Sequence, residues 1–180
     1  MPYQPSCLEA GLAEFRRHKS LGEAAIAQVT DDQLTQALDA ESNSIAIIVK
    51  HLAGNMRSRW TDFLTSDGEK PDRSRDTEFE SAPATRDELM QLWESGWHCV
   101  FTALEPLKEA DLARTVYIRS EAHSVAQAIL RQVAHYAHHV GQIVFLAKHF
   151  QSAHWKSLSI PRGKSAEFNL RAVGTDTGKP

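Results

Sequence analysis

The sequence predicts an all-α fold: a four-helix bundle over residues 1–150, followed by a C-terminal tail over 151–180. Three observations lead there. Four long segments carry apolar residues at helical spacing, and none alternates over the length of a strand in a sheet. Each segment runs roughly 20–28 residues, or about 30–40 Å at ~1.5 Å rise per residue, the scale of a bundle. Two of the four open on a capping box, a hydroxyl residue followed three positions later by Glu or Gln.

The first helix is expected from about Ser6 to Val29, with Leu8, Leu12, Phe15, Ile26 and Val29 on its apolar face and Gly22 weakening it locally. The second is expected from about Ser44 to Leu64, with Ile45, Ile48, Leu52, Met56 and Phe63 as its stripe. The third opens on "TRDE", where Thr85 caps and Glu88 reaches back, and it ends at Pro106. Leu89, Trp93, Val100 and Leu104 form its buried side. The fourth opens on "SVAQ" through Ser124 and Gln127 and continues to about Phe150. Trp60, Trp93, Trp97 and Tyr136 read as packing residues.

The connections differ in kind. Residues 66–84, "SDGEKPDRSRDTEFESAPA", form a polar loop long enough to cross over the bundle rather than turn back. Loops of that length in compact domains are more often functional than not. "TVYIRSE" (115–121) is β-like in composition but too isolated to form a sheet. In the tail, "HWKSLSIPRGKSAEFN" carries apolar anchors expected to pack on the bundle, and "RAVGTDTGKP" is expected to fray.

Composition narrows the function. The chain has 180 residues, 42% hydrophobic and 24% charged, with a net charge of −3. Without a basic patch, nucleic acid is not an expected partner. Without a long apolar run or a signal peptide, neither is a membrane. The cysteines, Cys7 and Cys99, are the only two and lie far apart, so a reducing cytoplasm is the expected compartment. The nine histidines are the unusual feature.

Four of them fall in "HYAHHVGQIVFLAKHF", residues 135–150. At about 100° per residue, His135 and His139 lie about 40° apart at the margin of the apolar face. His138 and His149 point toward solvent or an interface. An inward pair one turn apart is either a metal pair or two hydrogen-bonded core histidines. The second helix has a polar seam at Ser44, His51, Asn55 and Asp62, at steps of 7, 4 and 7. Its single histidine, His51, is either a third ligand or bonded to a neighbouring carbonyl. HExxH, the Glu-x-x-His of di-iron bundles and CxxC are all absent, which leaves a mononuclear three-histidine site as the metal reading.

His51 in "IIVKHLAGNM", together with His135, His139, Gly141 and Gln142 in "HYAHHVGQI", resembles the DinB/YfiT-like superfamily over about residues 5–150. The stretches "HLAGNMRSRWTDFL", "DGEKPDRSRDTEFE" and "SLSIPRGKSAEFN" resemble an uncharacterised subgroup of it rather than its thiol transferases. The resemblance implies an overhand four-helix bundle, a homodimer, and a divalent ion on His51, His135 and His139 with open positions facing a cleft. Imidazole ligands suit zinc or nickel, with iron also open. The chemistry implied is thiol-S-transferase-like, with a low-molecular-weight thiol as a further cofactor and a small molecule as substrate. A metal-dependent hydrolase and a non-enzymatic stress-response dimer are the alternatives.

Three further residues are candidates beside the metal. Asn55 either orients a substrate or bonds across helices. Gln142, about 20° from His135, either supports a ligand or packs. Arg59, with Arg57, Arg73 and Arg75, either binds an anion or forms a solvated surface. Arg162 is placed in the tail with no role assigned.

Overall fold

The computed structural model describes residues 6–175, with side chains over 6–170. Its long helices are α1 (Cys7–Ile26), α3 (Ile45–Trp60), α4 (Arg86–Leu104) and α5 (Val125–Gln151), with a short α2 (Asp31–Thr35) after α1. Both expected capping boxes form. Thr85 accepts from the Glu88 N–H while Glu88 reaches back, and Ser124 and Gln127 do the same at the start of α5. Ser44 caps α3 by accepting from the Ile47 N–H.

Two helices stop short of their expected ends. α1 ends at Ile26, and Thr30 then caps α2 with its own box to Gln33. α3 ends at Trp60 because Thr61 turns extended and Asp62 takes a positive φ of 47°. Asp62 is therefore exposed and off the helix, and it does not extend the polar seam.

The closest helix pairs are α1 with α5 and α3 with α4, while α3 also meets α5 and α1 meets α4. Loop 61–85 thus joins neighbours, and the diagonal crossings that make the connection overhand fall in 27–44 and 105–124. At the centre, Phe15, Trp60, Trp93, Trp97 and Tyr136 are buried and meet mostly edge to face. The Trp60 indole N–H donates to the Tyr136 hydroxyl at 2.9 Å, which gives a buried phenol its partner.

The β-like stretch does pair, contrary to the expectation from its isolation. β1 (Thr115–Ile118) and β2 (Glu121–Ser124) form an antiparallel hairpin with Ile118 opposite Glu121. Val116 and Ile118 point into the core. The turn residues Arg119 and Ser120 both take positive φ without the usual Asn-Gly. Their N–H groups donate to the Asp67 carboxylate at 2.8 and 2.6 Å, and the Gly68 N–H donates to the Tyr117 carbonyl. The polar loop, remote in sequence, holds the turn.

In the tail, Trp155 and Leu158 lie against the core, and Gln28 bonds the Lys156 backbone. Ile160, Phe168 and Leu170 stand exposed, the last two on α6 (Ser165–Thr175). The stretch expected to fray begins at Arg171; its first five residues continue α6, and residues 176–180 lie outside the described residues. Among the described residues, no helix is long and apolar enough to cross a membrane.

Candidate metal centre

α3 and α5 run in opposite directions where they face each other, and this brings the three histidines together. The His51 ring lies 5.5 Å from His135 and 4.8 Å from His139, centroid to centroid. His135 and His139 face each other Nε2 to Nε2 at 3.1 Å. One ligand atom from each of the three lies within 4.8 Å of the others.

The orientation of the rings matters as much as their proximity. His51 is buried, and its Nδ1 meets the Glu78 carboxylate at 2.8 Å, which leaves Nε2 for the centre. His139 Nδ1 meets the Gln142 side-chain oxygen at 2.8 Å, again leaving Nε2 inward. A carboxylate or amide behind a ligating imidazole fixes its ring and tautomer.

The donors also fit a divalent cation chemically. Burial first, then the neighbouring His139 and His51, lowers the His135 imidazole to about 3. Burial likewise lowers His139 to about 4, against the Gln142 bond, which acts to raise it. Both rings are therefore neutral at physiological pH, the state in which imidazole binds a metal. The 3.1 Å between the two Nε2 atoms is close to the roughly 3.3 Å edge of a tetrahedron with ~2.0–2.1 Å metal–nitrogen bonds.

Glu78 is the residue that the sequence pattern did not reveal. It sits on a 3-10 turn, Asp76–Phe79, inside the polar loop, and its side chain is 8% exposed. The Arg73 guanidinium grips it with Nε at 2.8 Å and a terminal nitrogen at 3.0 Å. Burial acts to raise the Glu78 pKa, but the His51 and Arg73 bonds outweigh it, so the carboxyl lies below its usual value. Gly54 makes room for this carboxylate, since a Cβ there would overlap it. Phe79, next along the turn, lays its ring against His51 at 4.8 Å. Nothing in "DTEFE" distinguishes Glu78 from its acidic neighbours.

The remaining candidates fall into clear places. Arg59 is buried and donates to the Gly68 carbonyl and the Glu69 carboxylate, so it clasps the loop from within. Ser58 joins it, donating to Gly68 and accepting from the Lys70 N–H. Asn55 is buried on the His51 side of α3, and its Oδ1 has no partner among the described residues. Gln132, also buried with a partnerless Oε1, was missed; its signal was a polar residue three positions before His135 on an apolar face. His138 and His149 are exposed, as are Arg57, Arg75 and Arg162. Arg75 stacks over Phe79 at 5.1 Å. Arg73 and Glu78 also line a cleft of about 640 Å³ with Lys50, Arg57, Lys70 and Cys99.

The family model described as "Protein of unknown function (DUF1572)" matches residues 4–164. No curated protein matches the chain. Among solved structures, the chain is similar to a DinB-like protein from Bacillus cereus ATCC 10987, with a TM-score of 0.58 at 14% identity. The match covers 78% of this chain and 91% of that one. At that identity the likeness establishes the DinB-like fold.

Proposed function

Since the chain belongs to the DUF1572 family, whose description carries no activity, we propose a function from the site itself: a divalent-metal centre on His51, His135 and His139 that serves a small-molecule metalloenzyme. The observation that carries this reading is the convergence of three imidazoles, two of which have their outer nitrogens already held by Glu78 and Gln142. Three protein ligands are the number typical of a catalytic rather than a structural zinc site. Imidazole suits zinc, nickel, iron and copper alike, and zinc or nickel is the first expectation, with iron next.

A bound ion would supply a Lewis acid able to make a thiol or a water nucleophilic at neutral pH. The chain's own residues do the rest. Burial keeps His135 and His139 neutral, Glu78 holds the His51 ring, and Gln142 holds His139. Thiol-S-transferase-like chemistry with a low-molecular-weight thiol is the first reading, and hydrolysis on the same site is the second. The cleft beside Glu78 and Arg73 is of small-molecule size, but none of the three histidines lines it, so it adjoins the centre only through Glu78.

The test is metal-loaded protein assayed with low-molecular-weight thiols against an electrophile panel, and in parallel against ester and amide substrates. Thiol consumption lost in His51→Ala supports the transferase reading. Ester or amide turnover alone transfers the assignment to the hydrolase. No turnover in either, with metal bound, leaves the non-enzymatic binding dimer.

The partner expected on this reading is a second copy of the chain on the outer face of α5. Leu130 and Phe145 are 59% and 62% exposed there, with Ala134, Ala137 and Gly141 between them. A Cβ at Gly141 would meet nothing within 4 Å among the described residues. The positions are symmetric about 137–138, so an antiparallel two-fold would set Leu130 against Phe145 and Ala134 against Gly141. Light scattering should read a dimer that Leu130→Glu with Phe145→Glu turns into a monomer; a monomeric wild-type protein contradicts it.

A further inference from the structure

Two of the three ligand rings have a fixed partner behind them, and the third does not. His135 Nδ1 is buried without a partner among the described residues. Three other buried polar atoms share that condition nearby: Asn55 Oδ1, Gln132 Oε1 and Arg59 Nε. Their residues are 4%, 2% and 7% exposed. Buried polar atoms are seldom left unpaired, so a cluster of four calls for a common explanation.

The helix geometry places them together. On α3, His51, Asn55 and Arg59 follow one another at one-turn steps. On the facing stretch of α5, His139, His135 and Gln132 descend the other way. The two ends of this seam are in register: His51 meets His135 and His139 at one end, and at the other Arg59 and Gln132 line a cavity of about 10 Å³, shared with Ala128 and the hairpin residues Val116, Tyr117 and Ile118, that Asn55 and His135 do not reach. Asn55, between His51 and Arg59, is thereby level with His135 and Gln132.

The chemistry of His135 restricts what can fill the seam. With Nε2 committed to a metal, Nδ1 carries the proton and must donate. Without a metal, His139 presents an unprotonated Nε2 if its Nδ1–H donates to Gln142 Oε1. His135 then donates through Nε2 across the 3.1 Å contact, and its Nδ1 must accept. The partner of Nδ1 therefore has to donate in one state and accept in the other. Asn55 Oδ1 and Gln132 Oε1 only accept, Arg59 Nε only donates, and a side-chain amide would have to flip end for end to change role. Water does both.

We propose that α3 and α5 enclose a buried water site bounded by Asn55, Arg59, Gln132 and His135, and that it sets the tautomer of the third metal ligand. The inference rests on the metal-centre reading. It makes Asn55 and Gln132 positioning residues that act through His135. Each water would have two or more of these four groups as partners, which is what an ordered buried water needs. On metal loading, the His135 proton shifts from Nε2 to Nδ1, and the water turns from donor to acceptor. No proton is gained or lost at His135.

The test is imidazole ¹⁵N NMR on the whole chain, metal-free and zinc-loaded, with a high-resolution crystal structure of the metal-free protein. The expected result is Nε2–H at His135 without zinc, a slowly exchanging Nδ1–H with zinc, and ordered water within hydrogen-bond distance of Nδ1 and Asn55 or Gln132. Asn55→Leu with Gln132→Leu, close in shape but without the acceptors, should weaken zinc binding by about 10–100-fold and speed Nδ1–H exchange at His135, leaving the His139–Gln142 signals in place. Wild-type zinc affinity in that variant overturns the inference, as does a dry seam in the crystal, and neither touches the metal-centre reading. Failure of the wild-type chain to bind zinc or nickel overturns the metal-centre reading instead; the metal-free tautomer and the crystal then still decide the water site. Should the double variant not fold, Asn55→Leu alone is read the same way.

Discussion

The candidate metal centre has two halves built in different ways. His135 and His139 stand one turn apart on a single long helix, and the half of the site they form is local. His51 stands on another helix and is held by Glu78 from a 3-10 turn, which is held in turn by Arg73. That half depends on a loop folding back over the bundle. The helical half should therefore tolerate the loss of its outer partner, and the loop-borne half should not.

The largest contrast is at the two outer partners. Glu78→Ala leaves the Arg73 guanidinium, 5% exposed, without its main partner. Removing one member of a buried ion pair costs about 3–5 kcal/mol, so urea unfolding should show a loss of that order. Gln142 is exposed, and Gln142→Ala should move stability by under roughly 0.5 kcal/mol. Both variants should lower metal affinity, within about 10–100-fold. Equal stability losses in the two would remove the distinction between the halves.

Gly54→Ala sharpens the same point. A mid-helix Gly-to-Ala change ordinarily stabilises by up to about 1 kcal/mol. Here the new Cβ overlaps the Glu78 carboxylate, so the melting temperature should fall, and metal affinity with it. A rise in melting temperature would show that Glu78 does not depend on this gap.

Acid should separate the halves by pH window. In the unfolded chain histidine protonates near 6.5, whereas folded His139 and His135 stay neutral down to about 4 and about 3. The unfolded state then binds more protons, so the metal-free protein loses stability as pH falls from about 6.5 through that range. The Glu78 carboxyl favours the charged rather than the neutral form, but like the two imidazoles it favours the deprotonated one: its folded pKa is lowered from 4.5, so its contribution is present above 4.5 and lost as pH falls below it. Urea midpoints measured from pH 7 to 4 should fall less steeply above pH 5 in His135→Gln with His139→Gln than in the wild type. Parallel curves would contradict the neutral buried rings.

The same contrast explains what was legible in the sequence. The α5 pair could be read because helical period alone sets which residues share a face, and His51 stood out as a polar residue on an apolar stripe. The capping boxes at Thr85 and Ser124 were equally local. Glu78 was not legible, because its role comes from a fold-back that Ser58, Arg59, Glu69 and Arg73 secure through bonds remote in sequence. The hairpin was missed for the same reason: Asp67, on that loop, holds its turn. The expected Asp62 in the seam failed because α3 ends two residues earlier, a boundary fixed by backbone conformation that the 7-4-7 spacing did not reveal.

The measurement that tests the central claim most directly is metal content and affinity, by elemental analysis of the purified chain and calorimetric titration with zinc and nickel. The account predicts a single tightly bound divalent ion per chain in the wild type and none in His51→Ala, with the helical fold intact by circular dichroism. A wild-type chain that binds neither metal, or a His51→Ala chain that binds as tightly as the wild type, would contradict it.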